Sequence, residues 1–199
     1  IILANAAVPL LGLVDTAVIG HYGDTAGLGA LALGALLFNV LYWSFGFLRM
    51  ATTGFIAQAD GAGDEAEVRA TLARSLLLGL ALGACLVLLQ WPLAAAWFAL
   101  MDASDAVGGQ GTAYFQARIW GAPAALALYA FSGALIGLGR SRTLMAVQLL
   151  LNGLNAVLDV YFAGVLDMGA RGIGLGTAIA EWATCAVAAL VLWWALRAR

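Results

Sequence analysis

The chain has 199 residues, 64% of them hydrophobic and 10% charged, with 9 basic and 11 acidic side chains. Soluble domains carry about 25% charged residues, disorder needs few apolar residues, and nucleic-acid binding needs a basic surface, so composition excludes all three classes. With a mean hydropathy of +0.96, what remains is an integral membrane protein built of helices.

Six apolar stretches follow one another at 1–20, 28–59, 75–101, 112–139, 143–166 and 172–196. Each reaches the roughly 20 residues needed to cross a hydrocarbon core about 30 Å thick. The strict alternation of a membrane strand is absent. The expected fold class is therefore all-α, a polytopic membrane protein of six transmembrane helices. The second stretch is over-long for one crossing, so it is expected to tilt or protrude.

The connections, 21–27, 60–74, 102–111, 140–142 and 167–171, are polar. Asp60-Gly61-Ala62-Gly63-Asp64-Glu65 reads as a turn followed by an acidic helix start. Glu67, Arg69 and Arg74 suggest a short surface helix leading into the third span. Arg69, Arg74, Arg140, Arg142, Arg197 and Arg199 fall on one side, Arg171 on the other, and Arg118 just inside the fourth span. The positive-inside rule places the first group in the cytoplasm. The sequence opens on Ile1 without a charged leader and closes just past an apolar run, so both natural termini are expected to lie beyond it. Gly79/Gly83, Gly133/Gly137 and Gly172/Gly176 form G-x-x-x-G pairs, which let helix backbones approach closely. Cys85 and Cys185 sit in apolar stretches and read as small packing residues.

Ionisable residues within the membrane cost about 2.5–3.5 kcal/mol each and mark functional sites by default. They are Asp15, Arg49, Arg118, Asp159 and Glu181. At 1.5 Å per residue, Asp15 lies roughly 7 Å, Asp159 roughly 10 Å and Thr177 roughly 7 Å inside the outer boundary. Three polar residues from three helices thus share one level. Asn152, Asn155 and Asp159 fall at i, i+3 and i+7, one face of the fifth helix. Two carboxylates at one depth in a low dielectric cannot both ionise cheaply, so the pair can take up and release a proton. The same oxygens, with those of Asn and Thr, suit a hard cation such as Na⁺. The plainer alternative is that these side chains only hydrogen-bond helices together. No other metal site is indicated.

Arg49 either binds an acidic partner on another helix or switches partners during a cycle. Arg118 and Glu181 both lie in the outer half, and a pairing between them is the simplest expectation. His21 is a boundary residue beside Tyr22. The seven tryptophans suit aromatic belts. Tyr42, Tyr114, Tyr129 and Tyr161 offer cation–π faces, and Tyr114 lies nearest the level of Asp15 and Asp159. Tyr114, Arg49, Arg118 and Glu181 are the candidates for lining a substrate cavity or gating it. With one His and no G-x-S-x-G, H-E-x-x-H or phosphate loop, neither an enzyme nor a cofactor is expected.

Leu13-Val14-Asp15-Thr16-Ala17-Val18-Ile19-Gly20-His21 is similar to the first helix of multidrug and toxic compound extrusion (MATE) transporters. Phe47-Leu48-Arg49-Met50-Ala51-Thr52-Thr53-Gly54 with Ala57-Gln58-Ala59 resembles the second helix of the family's DinF-like branch. Arg118-Ile119-Trp120-Gly121-Ala122-Pro123, Leu151-Asn152-Gly153-Leu154-Asn155-Ala156-Val157-Leu158-Asp159 and Ala180-Glu181-Trp182 extend the resemblance over all but the third helix. The resemblance implies twelve helices in two six-helix lobes, of which residues 1–199 form the N-terminal lobe and the C-terminal lobe is absent. It implies cation-coupled export of amphipathic, often cationic organic compounds, generally driven by H⁺, with Na⁺ as the other coupling ion. Asp15 and Asp159 would carry the coupling, with Asn152, Asn155 and Thr177 around them. The implied partners are small organic substrates, membrane lipids and the C-terminal lobe, and the implied location is a bacterial cell (inner) membrane. The alternatives are a related flippase of lipid-linked precursors and a non-transporting membrane scaffold or enzyme subunit.

Overall fold

The computed structural model describes residues 15–21 and 24–197, which form helices and turns with no strand among them. Helix α1 is described over 15–21, and the rest of the first apolar stretch lies outside the described residues. Asp24 caps the next helix, accepting from the Gly27 amide at 2.6 Å, where an acidic side chain also suits the positive end of the helix. Helices α2 (Thr25–Ser44) and α3 (Gly46–Gly61) join at Phe45. Together they make an apolar rod of 37 residues. At 1.5 Å per residue this is about 55 Å, which accounts for the over-long second stretch.

The third stretch departs from the sequence expectation. Helix α4 spans Glu65–Leu88, so it starts ten residues before 75 and absorbs the expected surface helix. Its start is set by Asp64, which accepts from the Glu67 amide at 2.9 Å, and by Glu65 and Glu67 in the first turn. Hydropathy does not register those signals. Glu67 also binds Arg74 and Thr71 along the same helix. The span does not run on to 101. The helix breaks at Leu89, and the 11-residue α5 (Gln90–Leu100) follows, with Pro92 in its first turn, where a missing N–H is tolerated.

The fourth stretch consists of α6 (Asp105–Arg118), a tight 3₁₀ turn (Ile119–Gly121) and α7 (Ala122–Gly137), which has Pro123 at its start. The fifth consists of α8 (Ser141–Asp159) continued by a π-helical segment (Val160–Val165), and the sixth is α9 (Gly169–Arg197). Five segments are long and apolar enough to cross a membrane among the described residues: Thr25–Gly61, Glu65–Leu88, Asp105–Gly137, Ser141–Val165 and Gly169–Arg197. The outer surface carries large apolar side chains, with Trp43 88% exposed and Met50, Leu88, Trp91 and Trp194 also outward. Such a surface is stable only against lipid or another apolar partner. The chain is a multi-pass membrane protein.

Helix α7 lies at the centre, buried on nearly every face, with α3, α4, α8 and α9 around it. The glycines predicted to mediate close packing do so. A Cβ on Gly79 would fall 2.9 Å from the Leu126 carbonyl oxygen, and one on Gly83 would overlap the Pro123 backbone. A Cβ on Gly133 would fall 2.6 Å from the Arg49 carbonyl oxygen, and one on Gly137 would fall 2.9 Å from that of Thr53. The Arg69 guanidinium donates to the Leu196 carbonyl at 3.0 Å, tying the start of α4 to the end of α9. The opposite end of the bundle has a cleft of about 420 Å³ among Ile19, Asp24, Gln110, Asp167 and Arg171. The arginine asymmetry of the loops therefore coincides with the two ends of the bundle.

Gly83→Ala is expected to destabilise the bundle by about 1–3 kcal/mol through overpacking. Gly54→Ala, where an added Cβ meets nothing within 4 Å, should be neutral or stabilising. Denaturant unfolding in detergent distinguishes the two.

Candidate functional site

The stripe on α8 divides by depth. Asn155 and Asp159 are fully buried, while Asn152, one turn earlier, is half-buried. Asp159 is the last residue of α8, immediately before the π-helical segment, and such segments recur at functional sites. Its carboxyl fits between helices because residue 176 has no side chain: a Cβ on Gly176 would lie 2.5 Å from Asp159 Oδ1. On α9, Thr177 is fully buried and its hydroxyl donates to the Ile173 carbonyl at 3.0 Å. Asn155 Nδ2 donates to the same hydroxyl oxygen at 3.0 Å. Asp15, 3% exposed, enters from α1, and its carboxyl is close enough to that of Asp159 for each to act on the other. The structure thus brings Asp15, Asp159, Asn155 and Thr177 together from three helices. Asp15 Oδ1, both Asp159 oxygens and Asn155 Oδ1 have no hydrogen-bond partner among the described residues. Buried oxygens of this kind are costly unless a proton, cation or water meets them.

Arg118 closes the cluster on α6, but not through the expected ion pair with Glu181. No such pair forms. Arg118 Nη1 donates to the Tyr114 hydroxyl one turn back, and its guanidinium carbon lies 4.5 Å from the centre of the Phe38 ring, a cation–π contact. The spacing i, i+4 makes Tyr114 the nearer partner. Glu181, 5% exposed, turns its Oε2 toward Gly121 in the 3₁₀ turn, where a Cβ would overlap it. The Arg118 charge is felt by Asp15, Asp159 and Glu181 together.

Tyr114 is fully buried, its ring edge-on to Phe38 at 6.1 Å and packed over Gly34. Its hydroxyl belongs to the charge cluster, and Asp15 and Asp159 both act on it. Arg49 lies elsewhere. It is half-buried on α3, forms no ion pair among the described residues, and acts on Tyr129. His21 is exposed at the end of α1. Sequence reasoning missed Phe38 as the platform for Arg118, and Gly121 and Gly176 as the openings that admit two carboxyls. It also gave no reason to single out Tyr42, whose buried hydroxyl feels the charges of Arg118 and Glu181 and has no hydrogen-bond partner among the described residues. Glycine placement opposite an acid has no signature in one helix alone. Among the described residues no group of three or more His, Cys, Asp or Glu gathers as a metal site would require.

The MatE family model matches residues 1–161. The chain belongs to the MatE family. It is 40% identical over 191 residues to DNA damage-inducible protein F of Escherichia coli (strain K12), covering 96% of this chain and 42% of that protein. It is 32% identical over 204 residues to the probable multidrug resistance protein NorM of Xanthomonas axonopodis pv. citri (strain 306), covering 99% of this chain and 43% of that one. The solved outward-facing structure of a multidrug resistance MATE family transporter of the MOP superfamily superposes with a TM-score of 0.86 at 25% identity, over 96% of this chain and 42% of the other. This MatE chain thus spans about four-tenths of the length of the relatives it matches. Its relatives with assigned roles are resistance proteins and transporters rather than enzymes.

Thr177→Val should cost about 1–3 kcal/mol, because the buried Asn155 amide loses its acceptor. Thr177→Ser keeps the hydroxyl and should cost less. Detergent unfolding of the two variants side by side checks this.

Proposed function

We propose that this chain is the N-terminal lobe of a cation-coupled antiporter that exports amphipathic, often cationic organic compounds, with H⁺ as the coupling ion. The observation that carries the reading is the facing of Asp15 and Asp159, both buried, with three of their oxygens unpartnered among the described residues. Two charges held there would repel in a low dielectric, whereas one proton shared between the acids leaves a single charge for Arg118 to offset. Protonation from outside relaxes the repulsion, lets α1 and α8 close on each other and expels the substrate. Release of the proton toward the cytoplasm resets the lobe. Alternating access then follows from rocking this lobe against a C-terminal lobe, with the substrate between them. The membrane proposed is the cell (inner) membrane of a bacterium, since the relatives named above come from bacteria.

Na⁺ is the second reading for the coupling ion. The unpartnered oxygens of Asp15, Asp159 and Asn155 are the hard donors that such a cation takes.

The full-length protein, reconstituted in liposomes loaded with ethidium, tests both readings. An inwardly directed proton gradient should drive ethidium efflux, and Asp159→Asn should cut the initial rate at least tenfold while the protein stays folded. Equal rates in wild type and variant would overturn the role of Asp159. Efflux under a Na⁺ gradient but not a proton gradient would replace the ion.

A further inference from the structure

The coupling pair uses only part of the buried charge. Three acids, Asp15, Asp159 and Glu181, are each no more than 5% exposed, and one base, Arg118, lies among them at 8%. An arginine stays protonated in any protein environment. Buried charge is tolerated only when it is offset, and one guanidinium offsets one carboxylate. Two of the three acids must therefore be neutralised, by protons or by one proton and a cation, whenever the lobe is closed to water. The Asp15–Asp159 pair accounts for one of these charges.

Glu181 has the geometry to account for the other. It sits on α9 one turn beyond Thr177 and three residues before Thr184, at i, i+4 and i+7 on one face. All three side chains are buried, and Glu181 Oε2 and Thr184 Oγ1 have no hydrogen-bond partner among the described residues. The stripe runs away from the Gly169 end of the helix and toward the arginine-rich end. Glu181 is twelve residues into α9, about 18 Å along the axis by the helical rise. The groups acting with it come from each neighbour that carries charge: Arg118 on α6, Asp15 on α1, Tyr42 on α2 and Tyr129 on α7. Helix α8 contributes Asp159 only as the partner of Asp15. Arg118 is committed to no single acid. It bonds Tyr114, rests on Phe38, and its Nε has no hydrogen-bond partner among the described residues.

We propose that Glu181 is a second proton-exchanging acid of the lobe, on the inward side of the Asp15–Asp159 pair and joined to it through the shared Arg118 guanidinium. While the lobe is closed to water, the pair shares one proton and Glu181 holds a second, which leaves one carboxylate for Arg118 to offset. When the inward side opens, Glu181 gives its proton to the entering water and the pair follows, with Arg118 drawn to whichever acid is charged; both protons are restored before the lobe closes again. This rests on the coupling role given to Asp15 and Asp159.

Infrared difference spectroscopy of the full-length protein in lipid, stepped in pH, counts acids that exchange protons by their carboxylic-acid stretching bands. Glu181→Gln should remove one titrating band and shift the midpoint of the band that Asp159→Asn removes. Wild-type and Glu181→Gln spectra that superpose would overturn the proposal and leave the aspartate pair untouched. Loss of a band in Glu181→Gln with none lost in Asp159→Asn would support Glu181 and overturn the pair. Should Glu181→Gln not elute as folded protein, Glu181→Asp reads the same property. Its shorter side chain withdraws the carboxyl from Gly121, so its band must move, and an unmoved band would overturn the proposal.

Discussion

Three carboxyl groups and one guanidinium share an apolar helical core, and the rest of the lobe is arranged around that imbalance. A charge in such a place must be offset, neutralised by a proton or met by a cation. The fold offsets one with Arg118, which is spread over Tyr114, Phe38 and the surrounding acids rather than locked into an ion pair. A locked pair would be stable and inert. A shared counter-charge leaves the acids responsive to what arrives, which is what the proposed coupling requires.

Close approach of backbones makes this core possible. Gly176 admits the Asp159 carboxyl and Gly121 admits that of Glu181. Gly79 and Gly83 bring α4 onto α7, and Gly133 and Gly137 bring α3 onto it from another side. With α7 buried on nearly every face, the lobe has a rigid centre, while the irregular segments lie near the charges. The 3₁₀ turn at Ile119–Gly121 directly follows Arg118, and the π-helical segment directly follows Asp159. Both are places where a helix shifts register at low cost. In the proposed cycle, a proton at the acids would act on the parts of the backbone nearest these irregular segments.

Much of this was legible in the sequence, because membrane helices obey simple arithmetic. Length and rise put Asp15, Asp159 and Thr177 at one level, and the 3.6-residue period put Asn155 and Asp159 on one face. The structure assembles those four groups. Hydropathy failed where polar residues continue a helix, as at Glu65–Arg74, where Asp64 and the first-turn acids decide the start. It failed again at Leu89, where one helix ends and α5 starts at Gln90, with Pro92 in its first turn, inside a single apolar stretch. The partner of Arg118 was misread because depth alone suggested Glu181, although the i, i+4 neighbour Tyr114 was written in the same helix. The glycine openings opposite acids are properties of helix pairs and were not legible in any one stretch.

The central claim is that Asp15 and Asp159 act as one titrating unit. It is tested most directly by a double-mutant cycle on ethidium binding to the full-length protein in detergent, measured by fluorescence anisotropy across pH. If the two acids share one proton, Asp15→Asn and Asp159→Asn each remove the same pH-dependent step of binding, and the double variant loses nothing further. Single effects that sum independently in the double variant would contradict the account.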